Sequence, residues 1–233
     1  MKNNTMCENC YSENDYFNLS CSTCGSLLRD KTPNVDLFST IWQLIESPTK
    51  AIKRIVFSEH KNYLTFLLLL LVTKFVFSSF FIQSILIEPV NYQKYLSANF
   101  GIGFAIILFL ILVFPFIQTK ILKSKNVNTR YKDNLAIVVY TQMPVILFLL
   151  LILPIEFALF GKFWLFSNPS PFIIKETAAY SFLIMEILVL IWSLILFGIG
   201  NYIQSKSKIY SIIITFIFLV ILAITFLFIP FLS

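Results

Sequence analysis

Over most of this chain apolar residues run in blocks, not stripes. Five stretches, residues 63–87, 98–119, 134–155, 178–200 and 209–230, are apolar around the whole circumference of a helix. Each supplies the ~20 residues that a helix needs to cross about 30 Å of hydrocarbon. No alternation of the strand type persists long enough for a barrel. Before the first block the pattern becomes striped. Leu37, Phe38, Ile41, Trp42 and Ile45 fall on one helical face. Ser47-Pro48 then reads as an N-cap followed by proline at the first helical position. In the helix that follows, Ala51, Ile52, Ile55 and Val56 face away from Lys50, Lys53 and Arg54, with Phe57 on the basic side. Such a pair suits the inner leaflet of a bilayer, where each cationic residue contributes about 1 kcal/mol, or packs beneath the spans. The two placements are compatible.

Composition agrees with the block pattern. With 58% hydrophobic and 13% charged residues, the chain lies outside the range of soluble domains. The net charge of +6 is therefore read as loop charge that sets orientation, and nucleic acid is not expected as a partner. Lys50, Lys53, Arg54, Lys61, Lys120, Lys123, Lys125, Arg130, Lys132, Lys206 and Lys208 fall on one side of the membrane, against Lys94, Lys162 and Lys175 on the other. This asymmetry predicts a cytoplasmic N-terminus and an external C-terminus. Tyr63, Tyr202 and Tyr210 are expected at the inner interface, and Tyr92, Tyr95, Trp164 and Tyr180 at the outer one. Residues 157–174, interrupted by Gly161, Pro169 and Pro171, are expected to lie in the outer interface without spanning. The N-terminus lacks the apolar stretch of a signal peptide, so insertion is expected to rest on the internal spans.

All four cysteines lie near the N-terminus, as Cys7-x2-Cys10-x10-Cys21-x2-Cys24. Two C-x2-C turns present thiolate pairs suited to tetrahedral Zn2+, and Gly25 fits a positive-φ turn after the last ligand. Tyr11 stands in the equivalent place of the first turn, and Phe17 and Leu19 supply a small apolar patch. Two disulfides or four free thiols are the alternatives, and a reducing cytoplasm argues against the disulfides. Four thiolates leave the metal no open position, which makes a structural and not a catalytic site. The expected fold class is thus an all-α polytopic membrane protein. A small zinc ribbon (1–28), a linker (29–36) and amphipathic interfacial helices (37–62) precede a bundle of five transmembrane helices (63–233).

Within the spans, Lys74 and Glu186 lie at similar depth and are expected to pair, since a lone charge there costs about 2.5–3.5 kcal/mol. Lys74 snorkelling inward is the alternative. Tyr140, Thr141 and Gln142 form a polar patch before Pro144, which should kink the third span. That patch marks either a ligand cavity or helix–helix glue. His60 is the only histidine and reads as a solvated bystander. No triad, P-loop or G-x-S-x-G is present, so no enzyme is expected.

The arrangement resembles the Yip family, the Ypt/Rab-interacting five-span membrane proteins, in a small form bearing a zinc ribbon. Residues 21–28 (CSTCGSLL) are similar to the second knuckle of such ribbons, and residues 46–55 (ESPTKAIKRI) to the proline-led segment before the first span. Residues 134–144, with Tyr140 and Pro144, and Trp192 followed by Gly198, Gly200 and the Lys206–Lys208 turn, resemble its later spans. The resemblance implies a cytosolic N-terminus and no enzymatic activity. It also implies lipid and a cytoplasmic protein, or another copy of the chain, as partners. A Rab-type GTPase would be the partner in a eukaryotic member of the ER or Golgi. The short N-terminal region leans toward a prokaryotic member in the cell membrane. A membrane adaptor is the leading reading. The alternative is a small transporter or channel with Lys74, Glu186 and Gln142 along its path.

Overall fold

A computed structural model describes residues 3–29, 32, 34–86, 96–166 and 169–228. Tyr92, Lys94 and Tyr95, expected on the outer side, lie outside the described residues. Two short antiparallel strands, β1 (Thr5–Met6) and β2 (Glu13–Asn14), pair Thr5 with Asn14 and Met6 with Glu13. Two short helices follow, α1 (Leu37–Glu46) and α2 (Pro48–Phe57). Then come α3 (Leu64–Leu86), α4 (Leu96–Ser124), α5 (Tyr131–Thr141), α6 (Met143–Leu151), α7 (Leu153–Phe160), α8 (Phe163–Phe166), α9 (Pro171–Ile174), α10 (Glu176–Ser205) and α11 (Lys208–Phe228). Five helical stretches are long and apolar enough to cross a membrane: Leu64–Ile82, Phe100–Ser124, Met143–Phe160, Glu176–Ser205 and Lys208–Phe228.

The third of these departs from the sequence reading. It begins at Met143, not at residue 134, because α5 is a separate and wholly different helix. Every residue of α5 from Asp133 to Thr141 is buried, and its ends carry Asp133, Asn134, Tyr140 and Thr141. Pro144 interrupts the chain as expected. It sits in the first turn of α6, and the residue at the break is Gln142. Pro154 does the same at the start of α7.

The chain divides into two compact units. One comprises Met1–Leu64, Leu112–Thr141 and Leu196–Thr215, and the other Thr65–Ile111, Gln142–Ile195 and Phe216–Ser233.

In the first unit the two striped helices behave differently. Asp36 caps α1 by accepting from the Ser39 amide at 3.0 Å, whereas Ser47 stands before α2 without a side-chain capping bond. Ala51, Ile52, Ile55 and Val56 of α2 are buried, and α2 packs on α5. The stripe of α1 points outward instead: Phe38 is 81% exposed, Trp42 68% and Ile45 65%. Packing within the unit therefore takes the face of α2 and leaves the apolar face of α1 exposed.

Close helix packing here depends on glycine. A Cβ on Gly200 would lie 2.7 Å from Cγ2 of Ile137, so α10 meets α5 backbone to side chain. Ile137 is β-branched and stiff within its helix, and cannot give way cheaply. At Gly198 the nearest atom is Thr215 Oγ1 at 3.4 Å, and Ser211 Oγ donates to the Gly198 carbonyl at 2.5 Å.

In the second unit the core is aromatic. Phe81 stacks on Trp164 at 4.4 Å between centroids, Phe160 lies 5.7 Å from the same indole, and Leu149, Leu153 and Ala179 complete the cluster. Trp164 is only 2% exposed, so its indole is packed against protein. Gly161, at φ +57, turns the chain after α7 and delivers the indole inward. Tyr180 is half exposed, as an interfacial residue would be. Of the tyrosines expected at the inner interface, Tyr63 and Tyr202 are exposed and Tyr210 is 9% exposed.

Gly200→Ala should destabilise the protein by about 1–3 kcal/mol through overpacking, and Gly198→Ala by less. Denaturant unfolding in detergent micelles, followed by circular dichroism, measures both.

Candidate metal centre and buried charge sites

The cysteine sequence folds into two matching turns. Tyr11 N donates to Cys7 O and Gly25 N to Cys21 O, both at 3.0 Å, and Cys7 N and Cys21 N pair with Ser12 O and Ser26 O at 3.0 and 2.8 Å. Each turn is therefore Cys-x-x-Cys-x-Ser, a repeat that the sequence reading passed over by attending to cysteine alone. Its fifth position takes positive φ in both, +55° at Tyr11 and +71° at Gly25. Tyrosine there is strained where glycine is not.

The four Sγ atoms all lie within 4.8 Å of one another. Cys7 and Cys24 are 3.7 Å apart and Cys10 and Cys21 3.5 Å. A tetrahedron of thiolates about 2.3 Å from a metal has edges of ~3.8 Å, so the donor set fits an ion. The cysteines are unbridged. The serines of the repeat serve the sulfurs: Ser26 Oγ is 3.0 Å from both Cys7 and Cys24, and Ser12 Oγ 3.1 Å from both Cys10 and Cys21. Asn14 Nδ2 donates to Cys21 Sγ at 3.4 Å, and Thr23 N to the same sulfur at 3.4 Å. These bonds stabilise thiolate. The Ser12 hydroxyl and the Cys24 and Thr23 backbone bring Cys21 down to about 5, and the Ser26 hydroxyl lowers Cys7.

The tip is fastened to the rest of the first unit. Asn3 Nδ2 donates to Asn128 O and Gln204 O at 2.9 and 3.1 Å, and the buried Tyr16 hydroxyl to Ile203 O at 3.0 Å. Phe57, the residue on the wrong side of α2, lies 4.9 Å from the Tyr16 ring and 6.3 Å from Phe17. It is the socket for the cysteine module.

Asp133, at the start of α5, is fully buried and receives two cations. Lys61 Nζ lies 3.1 Å from its Oδ1, and Arg130 Nε donates to Oδ2 at 2.8 Å. Lys61 also donates to the carbonyls of Ile55, Val56 and Ser58 at 2.5, 2.8 and 2.9 Å, closing the end of α2. Burial lowers the Lys61 pKa, and Asp133 opposes that shift. Counted in the sequence as a loop charge, Lys61 is in fact an interior one. The i, i+3 spacing of Arg130 and Asp133 was the available signal for this cluster.

In the second unit Lys74 and Glu186 form an ion pair, with side chains 3% and 12% exposed. The ammonium also sits 4.8 Å from the Phe148 ring centroid. A cavity of about 80 Å³ lies beside the pair, walled by Phe75, Phe148, Leu190 and Phe226. Glu156, unremarked in the sequence, is fully buried with neither carboxyl oxygen hydrogen-bonded among the described residues, and within electrostatic reach of both partners. Gln142 is not among the residues lining this cavity. It is buried in the same unit, with both amide atoms unpartnered among the described residues. In the first unit, the Tyr140 hydroxyl donates to Asn62 O and Thr141 Oγ1 to Ile137 O at 2.6 Å. The polar patch before Pro144 therefore divides, with two members spent on backbone carbonyls.

Five helical stretches long and apolar enough to span, with Lys74 and Glu186 paired between two of them, define a multi-pass membrane protein. Residues 42–229 match the Yip1 domain, and the chain belongs to that family. No curated protein and no solved structure matches the chain.

Replacing Asp133 with Asn should cost about 3–5 kcal/mol, because Lys61 is left charged and buried. Lys74→Met alone should destabilise similarly, whereas Lys74→Met with Glu186→Met should recover most of the loss. Unfolding of the single and paired variants in the same micelles measures both, and a double-mutant cycle gives the coupling.

Proposed function

We propose that this protein is a non-catalytic membrane adaptor of the Yip type, whose zinc-bound tip and basic inner face engage cytoplasmic partners or lipid. One observation carries the reading: four thiols converge on one point in a module docked on Asn128 and on the end of α10. A metal there, taken as zinc because all four donors are thiolates, fixes a recognition surface and leaves no open coordination position. A fragment this small has too little core to fold unaided, so its order would rest on the ion. The basic residues of α2 and of the α10–α11 turn flank the same module, which suits an inner face held by the loop charges.

The transporter alternative draws on Lys74, Glu186 and Glu156. Against it, a cavity of about 80 Å³ holds only two or three waters. The pair is better read as glue between α3 and α10.

Purified protein should carry one zinc per chain by metal analysis, and Cys10→Ser with Cys24→Ser should abolish it. Cross-linking in native membranes followed by pull-down should recover a cytoplasmic partner or a second copy with the intact chain, and lose it without residues 1–28. Thiol labelling of a cysteine placed at residue 4 in a variant lacking the native four should require opening of the membrane. Labelling from outside intact cells would reverse the orientation.

A further inference from the structure

A cavity of about 400 Å³ in the first unit is lined by Tyr16, Arg29, Lys53, Arg54, Phe57 and Lys206, among others. These come from the cysteine module, α2 and the turn between α10 and α11. Four of the lining residues are cationic and none is acidic among those described. Neutral hydrogen-bonding groups, Asn18 and Thr32 among them, complete the wall.

The cations are crowded and incompletely satisfied. Arg29 lies over the Phe57 ring at 4.6 Å and donates through Nη2 to Phe17 O at 2.6 Å. Its Nε is buried with no acceptor among the described residues. Burial, and then Arg130, hold this guanidinium below its usual range, and Glu59 opposes them. Desolvation and then Lys53 lower Lys206, whose ammonium stands 5.8 Å from the Tyr16 ring centroid. Arg54 spends one nitrogen on Ser39 Oγ at 2.8 Å, which leaves the others of its fork. Like charges gathered around an open volume, with no acid among the described lining residues, describe a site suited to an anion.

We infer that this cavity binds a phosphate group carried on a small polar body, either the headgroup of an anionic phospholipid or a soluble phosphorylated molecule. A carboxylate offers two oxygens and one charge, too little for four cations. A phosphate offers more acceptors and, as a monoester, nearly two charges. The guanidinium N–H groups of Arg29 and Arg54 not spent on Phe17 O and Ser39 supply directed donors, and two lysines supply charge without a fixed direction. The volume is that of a small-ligand pocket and exceeds what a bare ion needs. The inference deepens the adaptor reading and rests on it, since it supplies what the basic inner face would hold.

The test uses the full zinc-loaded chain in nanodiscs, which leave both membrane faces accessible. One arm compares phosphatidylcholine discs with discs holding an equal share of phosphatidylglycerol, and reads retained lipid by native mass spectrometry. The other titrates inorganic phosphate and glycerol phosphate into phosphatidylcholine discs and reads the unfolding temperature. Lys53→Gln with Lys206→Gln should weaken binding at least about tenfold in whichever arm is positive. The equally discharged Lys120→Gln with Lys123→Gln should not. The cavity variant's ligand-free unfolding temperature should hold or rise as like-charge repulsion is relieved. If that pair fails to fold, Arg29→Lys keeps the charge, removes the fork, and should still weaken binding. Binding in the lipid arm alone names a headgroup, and binding in the soluble arm alone names a free phosphate. No binding in either arm, or equal loss in both double variants, overturns the inference. Because discs expose both faces, a null result here cannot arise from inverted topology. The labelling and pull-down experiments fail independently of it.

Discussion

One buried carboxylate organises the first unit. Asp133 has no access to water, so its charge is tolerable only while Lys61 and Arg130 reach it. Each partner is committed elsewhere as well. Lys61 ties off the carbonyls at the end of α2, and the Arg130 guanidinium lies 4.5 Å from the ring centroid of Phe17 in the cysteine module. The position of α5 thus determines where α2 ends and where the module rests. Satisfying a single charge draws together segments that are distant in sequence, and the direction of each contact is fixed by hydrogen-bond geometry.

The two units meet the same constraint by different means. In the first, amides and hydroxyls supply each other: Asn134 donates to Thr119 Oγ1 and Thr129 Oγ1, Gln118 to Asn201, and Gln204 to Thr129. Such a network specifies one register for the helices that carry it, because a shifted helix would strand several buried donors together. In the second, the described buried polar side chains are Lys74, Glu156, Gln142 and a few hydroxyls such as Ser79 and Ser193, beside Glu186, and aromatic stacking around Phe81 and Trp164 does much of the packing. Hydrocarbon on the outside gives no hydrophobic drive between helices, so ring stacking and one ion pair take its place.

What was legible in the sequence follows from which forces are local. Block hydropathy shows the spanning helices because lipid acts on each residue independently of its neighbours. Cysteine spacing shows the thiol cluster because each pair is held within one turn. Lys74 and Glu186 announced a pair because a lone charge there is costly wherever it lies. The failures share a different cause. The apolar run through residues 134–155 concealed a break at Gln142, since a fully buried helix and a lipid-facing one have the same composition. The burial of Trp164 and Tyr210 against protein was not legible, because aromatic residues serve interfaces and cores equally. Lys61 read as a loop charge because its partner lies 72 positions away, well beyond helical spacing. Glu156 drew no notice, though its burial makes it the most demanding acid of the second unit.

The cysteine module illustrates how a weak local preference is overridden by what surrounds it. Tyr11 occupies a positive-φ position that its twin gives to Gly25, and the residue is 75% exposed, so packing does not hold it there. The constraint has to come from the sulfurs on either side and from the Tyr11 N to Cys7 O bond that closes the turn. The strain is confined to the first turn, whereas the contacts that dock the module come from Asn3, Tyr16 and Phe17, outside both knuckles. Ligand geometry and docking surface are thereby separated: one part of a very short segment can serve an ion while the other holds the helices. Loosening of the thiol cluster would reach α2 and α10 through those three residues and through Arg29, which lies over the Phe57 ring.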